Sequence, residues 1–213
     1  MTSFQKVAIA VLAGLIPNAV SAQLSSRDGL LEAVPTAQAR VALIEYASCL
    51  VARRPQPVRQ LLTMDARSTD YFSKMNKLIN DLESCRLPGR LKMSNVLLLG
   101  GLAEAAYKHD FAGRRALDPV LLAENVSPNL PLDSNEAALA CVVRKKPQAV
   151  HDLLGTRIES AQELDAIKPL AEELSSCMVP GTSSRLNKSY FRSVLALALF
   201  RSATLTASQA GAR

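Results

Sequence analysis

Aromatic residues make up only 4% of the chain, and tryptophan is absent. Runs in which β-branched or aromatic residues alternate with polar ones are missing too, so a sandwich or barrel has no pattern to build on. Alanine and leucine dominate instead, and the prediction is an all-α protein. Histidine occurs twice. No cysteine has another cysteine or a histidine two to four residues away, which excludes the usual zinc spacings. HExxH, a glycine-rich phosphate loop and a GxSxG elbow are absent. No metal, cofactor or catalytic residue is therefore predicted. Beyond residue 22 no apolar run is long enough to span a bilayer. Aromatic side chains do not interleave the basic clusters, so the stacking platform that single-stranded nucleic acid needs is missing and nucleic acid is not an expected partner.

What is present begins with the N-terminus. Lys6 is the one charge before Arg27, and it precedes an apolar run from Val7 to Ile16 that Pro17 ends. Val20 and Ala22 put small residues at the −3 and −1 positions before Gln23. A charged start, a short apolar stretch and a small-residue exit predict a signal peptide over 1–22, cleaved after Ala22. Ten apolar residues ended by proline are too few for an anchor across about 30 Å of hydrocarbon. The mature chain, from Gln23, is then expected in an oxidising compartment, periplasmic or secreted. It carries 24 basic and 19 acidic residues, a net charge of +5.

The mature chain contains an internal duplication. Residues 49–95 align without a gap to 141–187, with 15 identities in 47 positions. Cys49, Val51, Pro55, Gln56, Val58, Leu61 and Leu62 recur as Cys141, Val143, Pro147, Gln148, Val150, Leu153 and Leu154. The cysteines in each copy are 36 residues apart, at a common offset of 92. Four cysteines allow three pairings, and in an exported chain two copies of one unit should each close their own bridge. The expected disulfides are Cys49–Cys85 and Cys141–Cys177.

The organisation that follows is two tandem four-helix units: 23–109, a connection over 110–133, and 134–203, with a disordered tail over 204–213. First helices are expected over 37–54 and 135–146, each running into a proline. Short helices follow over 57–63 and 147–154, and closing helices over 96–108 and 188–203. In the third helices, Phe72, Met75, Leu78, Leu82 and Cys85 step at helical spacing, as do Leu164, Ile167, Leu170, Leu174 and Cys177. Pro169 either kinks that second copy or marks its start. Gly100 and Gly101 interrupt an apolar helix, which points to tight helix–helix contact, with a hinge or close ligand approach as the alternative.

Polar candidates are few. Glu104, set among Leu102, Ala103, Ala105 and Ala106, reads as a half-buried carboxylate at a solvated edge or in an ion pair, with a catalytic acid as the alternative. His109 closes a helix where a cation suits the dipole, and His151 replaces Arg59. The stretch carrying Arg53, Arg54 and Arg59 corresponds to the stretch carrying Arg144, Lys145, Lys146 and His151, a repeated basic corner. That corner is a candidate binding surface for an anionic envelope component. Cations in a last helical turn also offset the macrodipole with no ligand at all.

The Cys-x-Val-x-x-x-Pro-x-x-Val-x-x-Leu-Leu stretch, the Cys-x-x-Pro-Gly that follows, and Leu98-Leu-Gly-Gly-Leu-Ala-Glu-Ala-Ala-Tyr107 together resemble uncharacterised exported helical proteins of alphaproteobacteria. In such proteins an arginine often stands near the place of Gly100 or Gly101. The resemblance implies a periplasmic location and brings no activity. The expected function is a non-catalytic periplasmic binding or scaffold protein holding an envelope protein. An envelope hydrolase with a site between the units, or a basic binder of anionic envelope components, stands as the alternative.

Overall fold

A computed structural model describes residues 35–80, 85, 93–111, 134–179 and 186–210. The expected leader and its cleavage site, residues 112–133 of the connection, and the two Pro-Gly pairs lie outside these. The described residues are all-α, with no strand among them. The first unit contains α1 (Ala37–Arg53), α2 (Pro55–Thr63), α3 (Tyr71–Asn80) and α4 (Asn95–Phe111). The second contains α5 (Ser134–Lys145), α6 (Pro147–Gly155), α7 (Ala161–Cys177) and α8 (Lys188–Ala210).

Local chemistry sets the helix boundaries, and at the proline hand-overs it sets them alike in both copies. Thr36 caps α1 by accepting from the Ala39 amide at 3.2 Å, which satisfies one of the orphan donors of the first turn. Arg54 and Lys146, each preceding a proline, leave helical geometry at φ −138°, ψ 56° and φ −134°, ψ 50°. Pro55 and Pro147 then open α2 and α6 at a position where a missing amide costs nothing. Ser160 caps α7 by accepting from the Glu163 amide at 3.2 Å. Pro169 lies inside α7, which runs through it unbroken from Ala161 to Cys177.

Each unit is closed by its own disulfide. Cys49 of α1 bonds Cys85 with the Cα atoms 5.7 Å apart, and Cys141 of α5 bonds Cys177 at 5.8 Å. The second bridge joins α5 to the last residue of α7, and the first joins α1 to Cys85, which follows α3 in the chain.

The core lies along α4 and α8, which form the largest helix–helix interface. Both are apolar or small-residue on nearly every face, as central helices must be. Twelve of the 17 residues of α4 are buried. The two helices approach tightly at Gly100, where an added Cβ would come within 2.2 Å of Ser193 Cβ and 2.4 Å of its Cα. The two glycines therefore serve helix contact. At Gly101 the nearest atom is the flexible Leu43 Cγ, at 3.1 Å. Gly100→Ala is expected to lower stability by about 1–3 kcal/mol or more, because backbone must move. Gly101→Ala should stay within about 1 kcal/mol of wild type, since better helix propensity offsets a small repacking of Leu43. Thermal melts of the two variants test this, and equal losses would refute the close-approach account.

The structure corrects three expectations. Phe72 and Leu164 do not face the core; they are 55% and 52% exposed. The inward rows are Tyr71, Met75 and Leu78 in α3, and Glu163 and Leu170 in α7. An acid occupies the place of Tyr71, so apolar spacing alone starts the inward row one residue too far on, while Met75, Leu78 and Leu170 face inward as expected. The stretch from 204 to 210 is helical and continues α8 past Ala203. Thr204 and Thr206 donate to the Phe200 and Ser202 carbonyls of their own helix, each at 2.9 Å, so polar residues can lie against protein there. Asp110 and Phe111 belong to α4 rather than to the connection, with Phe111 buried and Asp110 ion-paired to Arg59 of α2.

Candidate functional site

Charge gathers where the two units meet. Glu163 enters the core on the first turn of α7, fully buried, and its carboxylate faces two arginines. Arg40 of α1 donates to it at 2.6 and 2.9 Å, and Arg192 of α8 at 2.9 Å. Its other contact is the Glu159 backbone amide, at 2.9 Å. Arg192 also grips Glu104 of α4 through two parallel bonds of 2.8 and 2.7 Å, the bidentate geometry a guanidinium favours. Lys108, one turn along α4, donates to Glu104 at 2.7 Å. At the rim, Glu159 accepts from Arg40 and Lys188. Glu159 has φ 62°, a left-handed backbone that costs a non-glycine residue about 1–2 kcal/mol. That conformation is held by the contacts its amide and carboxylate make in the network.

The electrostatics follow from burial and pairing. Burial alone would raise the Glu104 carboxyl, but the hydrogen bonds and charge of Arg192, with Lys108, bring it below the ordinary glutamate value. Glu163 likewise feels burial upward, and Arg40, the Glu159 amide and Arg192 outweigh it downward. Glu104 is more deeply buried than its sequence suggests, at 2% exposed, and it is an ion-pair partner. A carboxylate held ionised between an arginine and a lysine has no proton to give near neutral pH, which a general acid must have. A cavity of about 40 Å³ adjoins the network between Arg40, Glu104, Ser189 and Arg192. It has room for on the order of one to three waters, and the Ser189 hydroxyl, buried without a hydrogen-bond partner, lines it.

Arginines from α8 also finish both short helices. Arg201 donates to the Leu62 carbonyl at 2.6 Å, and Arg192 to the carbonyl of Thr156 at 3.1 Å, satisfying acceptors left open at the ends of α2 and α6. A second contact crosses between the units where the Tyr107 hydroxyl and His151 Nδ1 lie 2.8 Å apart. Burial pushes the Tyr107 phenol up to about 12.

The basic corners are separate from this network and differ from each other. Arg59 is bidentate to Asp110 at the end of α4. Lys145 reaches Glu173 at 3.1 Å and Ser176 Oγ at 2.9 Å, and Lys146 lies 3.9 Å from Glu173. Arg144 is partly buried in the last turn of α5. Arg53 and Arg54 are exposed and make no ion pair among the described residues. Sequence reasoning found Glu104 but missed Arg40, Glu163 and Arg192. The available signal was the same one that marked Glu104. Arg192 and Arg201 are charges set among the apolar and small residues of a single helix, α8, and Ser160-Ala-Gln-Glu163 is a capping-box pattern.

Among the described residues no helix is long and apolar enough to cross a membrane, and no group of three acidic, histidine or cysteine side chains could hold a metal ion. Comparison with protein families, with curated proteins and with solved structures finds no match to this chain.

Proposed function

We propose that the chain is an exported, non-catalytic binding or scaffold protein of the bacterial periplasm, akin to the exported helical proteins it resembles. Two disulfides support the export reading, since such bonds persist in oxidising compartments. The saturated inter-unit network supports a structural role for the buried charges. It couples both copies into one body and leaves Glu104 and Glu163 engaged.

The observation that carries the binding role is the pair Phe72 and Leu164. They occupy equivalent places 92 residues apart, on the outer faces of α3 and α7, and both project large apolar groups into solvent. One exposed apolar side chain is unremarkable on any surface. The same exposure at equivalent positions, in copies that differ at most others, is what a surface kept for a partner looks like.

Photo-crosslinking residues placed at 72 and 164 test the reading in cells that export the chain. Both positions are expected to capture the same discrete envelope protein, and a control at exposed Gln148 on α6 is expected not to. Absence of a discrete adduct at both positions would overturn the proposal.

A further inference from the structure

The first unit carries a groove rimmed by cations that its copy lacks. It lies between α2 and α3, encloses about 300 Å³, and begins at Arg54, where α1 hands over to α2. Leu61 and Leu78, both buried, form its floor with Pro57 beside them. Arg54, Lys74 and Lys77 stand around the rim. That volume is at the lower end of pockets that hold small ligands, about 300–1,000 Å³.

We infer that this groove binds a small soluble amphiphile with a phosphate head and a short apolar body. The charge is complementary to one anion and no more. Arg54 and Lys77 make no ion pair among the described residues, while Lys74 is partly answered by Asp70 at 2.7 Å. A guanidinium fork and two ammonium groups suit phosphate oxygens, the fork giving paired bonds and the lysines point charges. The leucine floor gives the apolar body somewhere to lie.

The duplication supplies the comparison. At the equivalent places the second unit has Ala166 for Lys74, Pro169 for Lys77 and Asp152 for Gln60. The remaining cation, Lys146 for Arg54, is answered by Glu173. Leu153 and Leu170 keep the floor, buried like its counterpart. The two copies therefore share the scaffold of the groove and differ in its charge. Ordinary solvated surface would not be expected to concentrate cations around one floor and lose them around the other.

The site goes beyond the partner-binding reading and does not depend on it, because crosslinking at 72 and 164 reports a protein partner whether or not the groove is filled. Titration calorimetry of the oxidised full chain with hexyl phosphate tests the inference. Saturable one-to-one binding is expected, at least tenfold tighter than for inorganic phosphate. Lys77→Gln and Arg54→Gln are each expected to weaken it at least fivefold, and Lys146→Gln to leave it unchanged. All three substitutions are on exposed side chains. The inference is overturned if hexyl phosphate gives no saturable binding, if inorganic phosphate binds as well, or if neither Lys77→Gln nor Arg54→Gln has an effect. Adsorption to phosphatidylglycerol vesicles without binding of soluble hexyl phosphate would also overturn it, by assigning the charge to a membrane surface.

Discussion

Glu163→Gln is expected to cost about 3–5 kcal/mol at neutral pH, because it leaves Arg40 and Arg192 buried without their shared anion. For a chain of this size that is on the order of 10 °C in Tm. Glu159→Gln, at a site 25% exposed on the rim, should cost no more than about 1 kcal/mol. Combining Glu163→Gln with Arg40→Met should recover part of the loss, since one of the two buried arginines left with a single carboxylate partner goes with the lost anion. Strict additivity of the two would mean the network is not the coupled unit its geometry describes. The pH dependence carries the same signature. Glu104, Glu159 and Glu163 are all held below their ordinary value. Their contribution is therefore fully present above the unfolded glutamate value of about 4.3 and is lost as pH falls through it toward the folded values. Wild-type stability should be level from neutral pH to about 5 and then decline, and Glu163→Gln should decline less steeply. An equally steep acid limb in that variant would separate Glu163 from the acid response.

Removing either disulfide as a pair of alanines is expected to cost roughly 3–4 kcal/mol, the loop-closure value for a loop of this length. The two bridges should differ in reactivity. Cys177 is partly exposed at the end of α7, whereas Cys85 is 4% exposed. Graded reduction with trapping and peptide mapping should therefore open Cys141–Cys177 first. Simultaneous opening would mean that access does not distinguish them. A mapped peptide joining a cysteine of the first unit to one of the second would contradict the duplicated-unit account.

Much of this architecture was legible before any coordinates. An ungapped repeat pairs the cysteines, because the same spacing in each copy closes the same loop. Proline ends the first helix of each unit just before Pro55 and Pro147, where backbone geometry allows little else. The meaning of Gly100 and Gly101 was half legible: two glycines in an apolar helix signal close approach without saying to what.

The composition of the chain, its repeat and its local breakers determined the helices, their order and the two sulfur links. Those depend on steric and periodic effects that act over a few residues or follow directly from duplication. Tertiary structure alone decided where the inward rows of α3 and α7 begin, so that Tyr71 and Glu163 are buried and Phe72 and Leu164 are not. It also decided that Arg192 meets Glu104 from 88 residues away. The worth of a charge depends on what surrounds it after burial, and no local window of sequence contains the partner that makes burying it tolerable.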